Sequence, residues 1–171
     1  MAEEVIDDEV MAEEVMDDEM LTCFDVGNYF LAQQSEEAGD LISNLKLQKL
    51  VYYAQGCCLA LFDAPLFQEP LKAWVHGPVV PELYHAYKQY GSGPIPVPVG
   101  MDFSIFSAET RELLDEVYSV YGQFSAWKLR EMTHAETPWK EAAPSQGTIT
   151  QASMRAFFKP LTYRDSSPCR D

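Results

Sequence analysis

Three histidines and four cysteines have the chemistry to serve as metal ligands, general bases or nucleophiles, and their spacing argues against all three roles. His76, His85 and His134 lie far apart, and none belongs to H-E-x-x-H, H-x-E or a zinc-type pair that would place two ligands on one turn or helix face. Each reads as a local group: His76 hydrogen-bonding in a loop, His85 on a helix surface, and His134 near a helix C-terminus, where the dipole favours an imidazolium. Cys23, Cys57, Cys58 and Cys169 form no C-x-x-C pair and no disulfide framework. Cys57 and Cys58 sit in an apolar run, where cysteine packs as a small hydrophobe, and neither has a basic neighbour to lower its pKa. There is no G-x-S-x-G, no phosphate-cradling glycine loop and no G-x-G-x-x-G. The expectation is no catalytic residue, no metal and no cofactor. A hydrolase using Cys58 or His134 stays open as a competing reading, tested by whether a nucleophile and a base meet in the fold.

Aromatic residues are more informative. Trp74, Tyr84, Tyr87, Tyr90, Trp127 and Trp139 recur near prolines and glycines, a composition found at protein-binding hot spots. Most would serve the core, and Tyr84 and Tyr87 stand three apart on one expected helix face. The segment W-V-H-G-P-V-V-P from Trp74 to Pro81 differs because it reads as a loop and is apolar, and loops on rigid scaffolds carry binding groups.

The elements that would position these residues are mostly helices. Thr22 and Asp25 bracket a helix start before Val26, Tyr29, Phe30 and Leu31, and Gly39 marks the stop. Ser43 or Asn44 caps a stronger helix with Leu47, Leu50, Val51, Ala54, Cys58 and Leu61 at steps of three and four. Between Asp63 and Val75 two prolines break the pattern, and Leu66–Phe67 and Leu71–Val75 suit a small hairpin or an extended segment. Pro81 opens a helix that stops at Gly91, and G-S-G-P-I-P-V-P-V-G is extended because its prolines cannot continue a helix. Ser107 caps a helix through Tyr121, Ser125 another to about His134, and Thr148 or Thr150 a last one with Met154, Phe157 and Phe158. The fold class expected is mainly α: one compact domain of about six helices, with room for a small β-hairpin.

The domain is expected at residues 21–160, after an acidic tail at 1–20 and before a flexible segment at 161–171. The tail is a direct repeat, MAEEVIDDEV then MAEEVMDDEM, whose ten acids and no base suit a disordered, solvated segment. Removing it reduces the formal net charge from −15 to −5, with the twelve Lys and Arg scattered over the body. Direct nucleic-acid binding is not expected, since no concentrated basic patch is legible. The acidic N-terminus lacks a signal or transit pattern, and Val51–Phe62 is shorter than the roughly 20 residues of a membrane span. A cytoplasmic location without membrane contact is the expectation.

Three blocks carry a family resemblance: N-L-K-L-Q-K-L-V-Y-Y-A-Q-G at Asn44–Gly56, A-W-V-H-G-P-V-V-P-E-L-Y-H-A-Y-K-Q-Y-G at Ala73–Gly91, and S-A-W-K-L-R-E-M-T-H-A-E-T-P-W-K-E-A at Ser125–Ala142. In that order, over about Phe24 to Phe158, the chain resembles the Panacea domain of SocA-like and phage-associated bacterial proteins. The resemblance implies an antitoxin that neutralises a cognate toxin, usually encoded beside it, by direct protein contact. One branch of the family instead delivers its toxin to a bacterial protease as an adaptor. The Lys46–Gln55 block is expected to pack and cap the central helix. Trp74, His76, Gly77, Pro78, Tyr84, Tyr87 and Trp139 are the expected partner-contacting surface.

Overall fold

The computed structural model describes residues 20–35 and 41–165, with side chains up to residue 161. The acidic repeat before Met20, the expected stop at Gly39 and Cys169 lie outside the described residues.

Helix α1 (Cys23–Leu31) begins with a reciprocal cap: Thr22 Oγ1 accepts from the Asp25 amide, and the Asp25 carboxylate accepts from the Thr22 amide at 2.9 Å. Ser43 Oγ accepts from the Lys46 amide and starts α2 (Asn44–Phe62), which ends where Asp63 turns left-handed. Fifteen of its 19 residues are buried, so α2 is wrapped on nearly every face rather than along the single stripe read from its leucines. Leu61, placed on that stripe, is half exposed near the helix end. Around α2 pack α1, α3 (Pro81–Tyr87), α4 (Ala108–Tyr121), α5 (Ala126–His134) and α7 (Gln151–Asp165). Leu47 and Leu50 are fully buried there, each worth roughly 1.5–3 kcal/mol of apolar burial.

Helix α7 runs beside α2 more extensively than any other element, and Gly56 is the reason it can. A Cβ at Gly56 would stand 2.2 Å from the Phe158 ring. That ring is buried edge-on to Tyr52, Tyr53 and Phe157. The helix continues through Pro160 to Asp165, past the boundary read at residue 160. Pro160 removes one amide donor, and Ala156, one turn back, is exposed, so its carbonyl can turn to water.

W-V-H-G-P-V-V-P is a hairpin instead of a loop. Strands β1 (Leu71–Trp74) and β2 (Gly77–Val79) pair antiparallel with Trp74 opposite Gly77, and β3 (Thr148–Ile149) pairs with the other edge of β1. Pro78 is tolerated because β2 is an edge strand. Both β3 and the short α6 (Thr137–Ala142) escaped sequence reading, being too short to show a period. The extended 91–100 segment is tied down by the Ile95 amide donating to the Ile42 carbonyl. The result is a mainly α fold with a small three-stranded sheet.

Candidate functional site

The hairpin is held by polar side chains that α2 buries. Asn44 and Gln48 lie one turn apart on one face: Gln48 Nε2 donates to Asn44 Oδ1, Asn44 Nδ2 donates to the Tyr84 carbonyl, and Gln48 Oε1 accepts from the Val80 amide. Farther along, Gln55 accepts from the Leu66 amide and donates to the Phe67 carbonyl. Each side chain thus satisfies backbone groups that a loop or strand edge would otherwise bury unpaired. Lys46 Nζ donates to the Gly122 carbonyl at the C-terminus of α4, where the helix dipole favours a cation.

Lys49 Nζ donates to the Pro78 carbonyl at 3.2 Å. Burial, aided by the nearby Arg130 guanidinium, pulls its pKa down to about 7. Gly77 has φ +113°, and a Cβ there would meet Lys49 Cε at 2.6 Å and Thr133 Oγ1 at 2.9 Å. Only glycine lets the hairpin backbone lie against α2 and α5 in this way.

On the outer side of this anchorage the aromatics meet. Trp139 Nε1 donates to the Trp74 carbonyl at 2.8 Å, and its ring stacks on His134 at 4.1 Å. Trp74 stands edge-on to Tyr84 at 5.3 Å and to His85 at 6.2 Å. At the turn Val75 is 64% exposed. His76, also exposed, accepts through Nδ1 from Arg130 Nε at 3.1 Å. The Arg130 guanidinium lies over the Trp127 ring, 4.4 Å from its centroid, and Trp127 is 57% exposed. His134 is held below its ordinary pKa by burial and by Arg130, against a hydrogen bond to the Val75 backbone. Its Nε2 is covered and has no hydrogen-bond partner among the described residues.

Beneath the face, Glu136 accepts from Tyr52 at 2.9 Å and from Tyr53 at 2.8 Å. Burial pushes its carboxyl up to about 7 despite those bonds. Burial, with the adjacent Glu136 charge, holds both tyrosine hydroxyls far above their usual range. Tyr53 also stacks on Tyr121 at 3.8 Å.

Of the residues selected from sequence, Trp74, His76, Tyr84 and Trp139 converge on this face. Gly77 and Pro78 are buried and set its shape from behind. Tyr87 turns the other way, its hydroxyl donating to Asn28 of α1 at 3.1 Å, although Tyr84 and Tyr87 were read on one helix face. Val75, Trp127, Arg130 and His134 join the face and were not selected. The signal for Trp127 is present: a tryptophan beside Lys128 in the first turn of a helix, off the Leu129–Thr133 side that packs inward.

Among the described residues, no base stands beside Cys58, one of the two groups that the hydrolase reading names. Beside Cys58 lies a cavity of about 270 Å³ lined by Met20, Leu21, Leu66, Ile105 and Thr110 among others, with no histidine. Burial pushes the Cys58 thiol up to about 11, and burial with the nearby Glu69 charge pushes Cys23 to about 12, the opposite of activation. Among the described residues, no three His, Cys, Asp or Glu side chains gather as a metal site. No helix among them is long and apolar enough to cross a membrane.

These features define a class: a mainly helical domain built around one buried helix, whose polar side chains fasten an aromatic hairpin to its surface. The description "Antitoxin SocA-like, Panacea domain" names the family whose model matches residues 47–140, from α2 through most of α6. The chain belongs to this family. It is 30% identical over 134 residues to the protein described as Antitoxin SocA from Caulobacter vibrioides (strain NA1000 / CB15N), covering 72% of this chain and 71% of that relative. No solved structure matches the chain.

Proposed function

We propose that this protein is an antitoxin that neutralises a cognate toxin protein by direct contact through the hairpin face, without catalysing a reaction. The observation that carries this reading is the surface on which exposed Val75 and Trp127 stand beside half-buried, hydrogen-bonded Trp74 and Trp139, all within the matched family segment. Trp and Arg are the side chains that most often anchor protein interfaces, and here they are pre-ordered by stacking and hydrogen bonds before a partner arrives. Val75, His76, Tyr84 and the Arg130–Trp127 pair would form the contact, with Gly77 and Pro78 fixing the backbone beneath. A specific complex would bury at least roughly 1,000 Å², so the face would form its centre and neighbouring polar residues its rim.

The toxin is expected to be encoded beside this gene. The test expresses the neighbouring gene in a bacterium with and without this chain, following growth and the neighbour's abundance. Rescue with a stable complex supports neutralisation by binding. Rescue with loss of the neighbour would mean delivery to a protease, and a toxic neighbour that this chain does not counter overturns the reading. Val75→Asp, Trp127→Ala and Trp74→Ala should each weaken rescue while the protein still melts cooperatively.

A further inference from the structure

Among the described residues, the hairpin face carries a cation with no carboxylate partner. Arg130 spends its Nε–H on His76 Nδ1 and lays its guanidinium plane over Trp127, which fixes the fork in place. Its two terminal nitrogens are given no carboxylate: the ion pairs among the described residues are those of Asp63 with Arg155 and Lys159. Because His76 Nδ1 accepts that bond, neutral His76 carries its proton on Nε2, adding a second donor at an exposed position. In a chain of formal net charge −15, Arg130 therefore stands on this face with no carboxylate paired to it among the described residues.

An ordered guanidinium with a free edge, an aromatic wall on one side and a further N–H donor nearby fits a planar carboxylate, which it can grip with two parallel hydrogen bonds. We infer that the partner bound at the hairpin face presents an Asp or Glu carboxylate to Arg130, flanked by apolar side chains that pack on Trp127 and Val75. This rests on the reading of the face as the partner-binding surface and names the chemistry of the partner there. Charge complementarity selects the occupant: an acidic side chain neutralises Arg130 on binding, whereas a basic or purely apolar segment would bury it unpaired.

The test does not require the toxin. A random peptide library displayed on phage is panned against the full-length chain and against Arg130→Gln and Arg130→Lys, with thermal melting confirming that each variant folds. The wild type should enrich peptides with one fixed Asp or Glu beside apolar residues. A synthetic peptide of that consensus should bind Arg130→Gln about tenfold or more weakly, Arg130→Lys in between, and all forms more weakly in high salt. Enrichment without an acid, no enrichment at all, or a consensus that binds Arg130→Gln equally well overturns the inference. So does competition by the chain's own acidic repeat, seen as tighter peptide binding when its ten acids are changed to Asn and Gln in the full chain. A duplex oligonucleotide that displaces the peptide would assign the fork to phosphate instead, which also overturns it. Co-expression rescue with an indifferent Arg130 leaves the antitoxin reading standing and this inference failed. Acidic peptides captured by a chain that does not rescue give the converse.

Discussion

Replacing Gly56 by alanine should destabilise the protein, although the same change in an ordinary helix interior stabilises by about 1 kcal/mol. The Cβ would stand 2.2, 2.3 and 2.9 Å from three carbons of the Phe158 ring, where ordinary contact is 3.4–4 Å. The ring cannot simply slide away, since Tyr52, Tyr53 and Phe157 hold it edge-on with centroids 5.0–5.9 Å distant. Two costs bracket the outcome. Forcing an extra carbon into a packed core costs roughly 1–3 kcal/mol, and losing the packing of a buried phenylalanine altogether costs roughly 3–5 kcal/mol. After the helix-propensity gain the net loss should be about 2 kcal/mol, which lowers the melting temperature of a chain this size by roughly 4–8 °C. Urea titration of the wild type, Gly56→Ala, Phe158→Leu and the double variant reads it directly. The double variant should be about 1 kcal/mol more stable than the two single changes added together, because the smaller side chain removes the collision. A stabilised Gly56→Ala, or strict additivity in the cycle, would refute the account of α2–α7 packing.

Stability should also vary with pH around two buried groups. The folded state holds the Glu136 proton more tightly than a free carboxyl near 4.5, so its contribution is complete below that pH and declines as pH rises to about 7. Lys49 works in the opposite sense: the unfolded chain binds its proton more tightly between about 7 and 10.5, so stability rises across that window. From these two groups the urea midpoint should be lowest near pH 7; Glu136→Gln should flatten the decline below it and Lys49→Met the rise above it, and unchanged profiles would refute the assignment. Gly77→Ala should cost about 2 kcal/mol or more through its positive φ and the collision with Lys49 and Thr133, with loss of partner binding alongside. Melting and co-expression rescue measured on the same variant check both parts. In the native protein at pH 7.5 no more than two of the four thiols should react with Ellman's reagent, because Cys23 and Cys58 are buried with raised pKa values; four should react in denaturant.

Much of the helical framework is legible because its signals are local. Thr22 with Asp25, Ser43, Ser107 and Ser125 are each the cap that the structure uses, Gly122 ends α4, and Gly91 closes the 3-10 turn at Lys88–Tyr90 that follows α3. Such signals act within one turn, so they survive without knowledge of the rest of the fold. The hairpin was only half legible. Leu71–Val75 suggests a strand and Leu66–Phe67 suggests its partner, but the true partner contains Gly-Pro, which in isolation reads as a loop. An edge position, which no local pattern announces, is what makes that proline acceptable.

The sequence by itself determined the class of fold, the central helix with its starting cap, the family and the aromatic richness of the Trp74–Pro81 and Ser125–Ala142 segments. Caps, periodicity and motif order are written along the chain, where neighbours in sequence are neighbours in space. Tertiary structure alone decided how those aromatics divide. Tyr84 meets Trp74 while Tyr87, three residues on, meets Asn28. Arg130 comes to His76 across 54 residues, and Trp139 to the Trp74 carbonyl across 65. Lys49 and Gln48, polar residues on a helix buried almost all round, make sense only once the hairpin carbonyl and amide they satisfy are folded against them. Contacts between distant segments depend on how helices and sheet pack together, and packing has no periodic mark in the sequence.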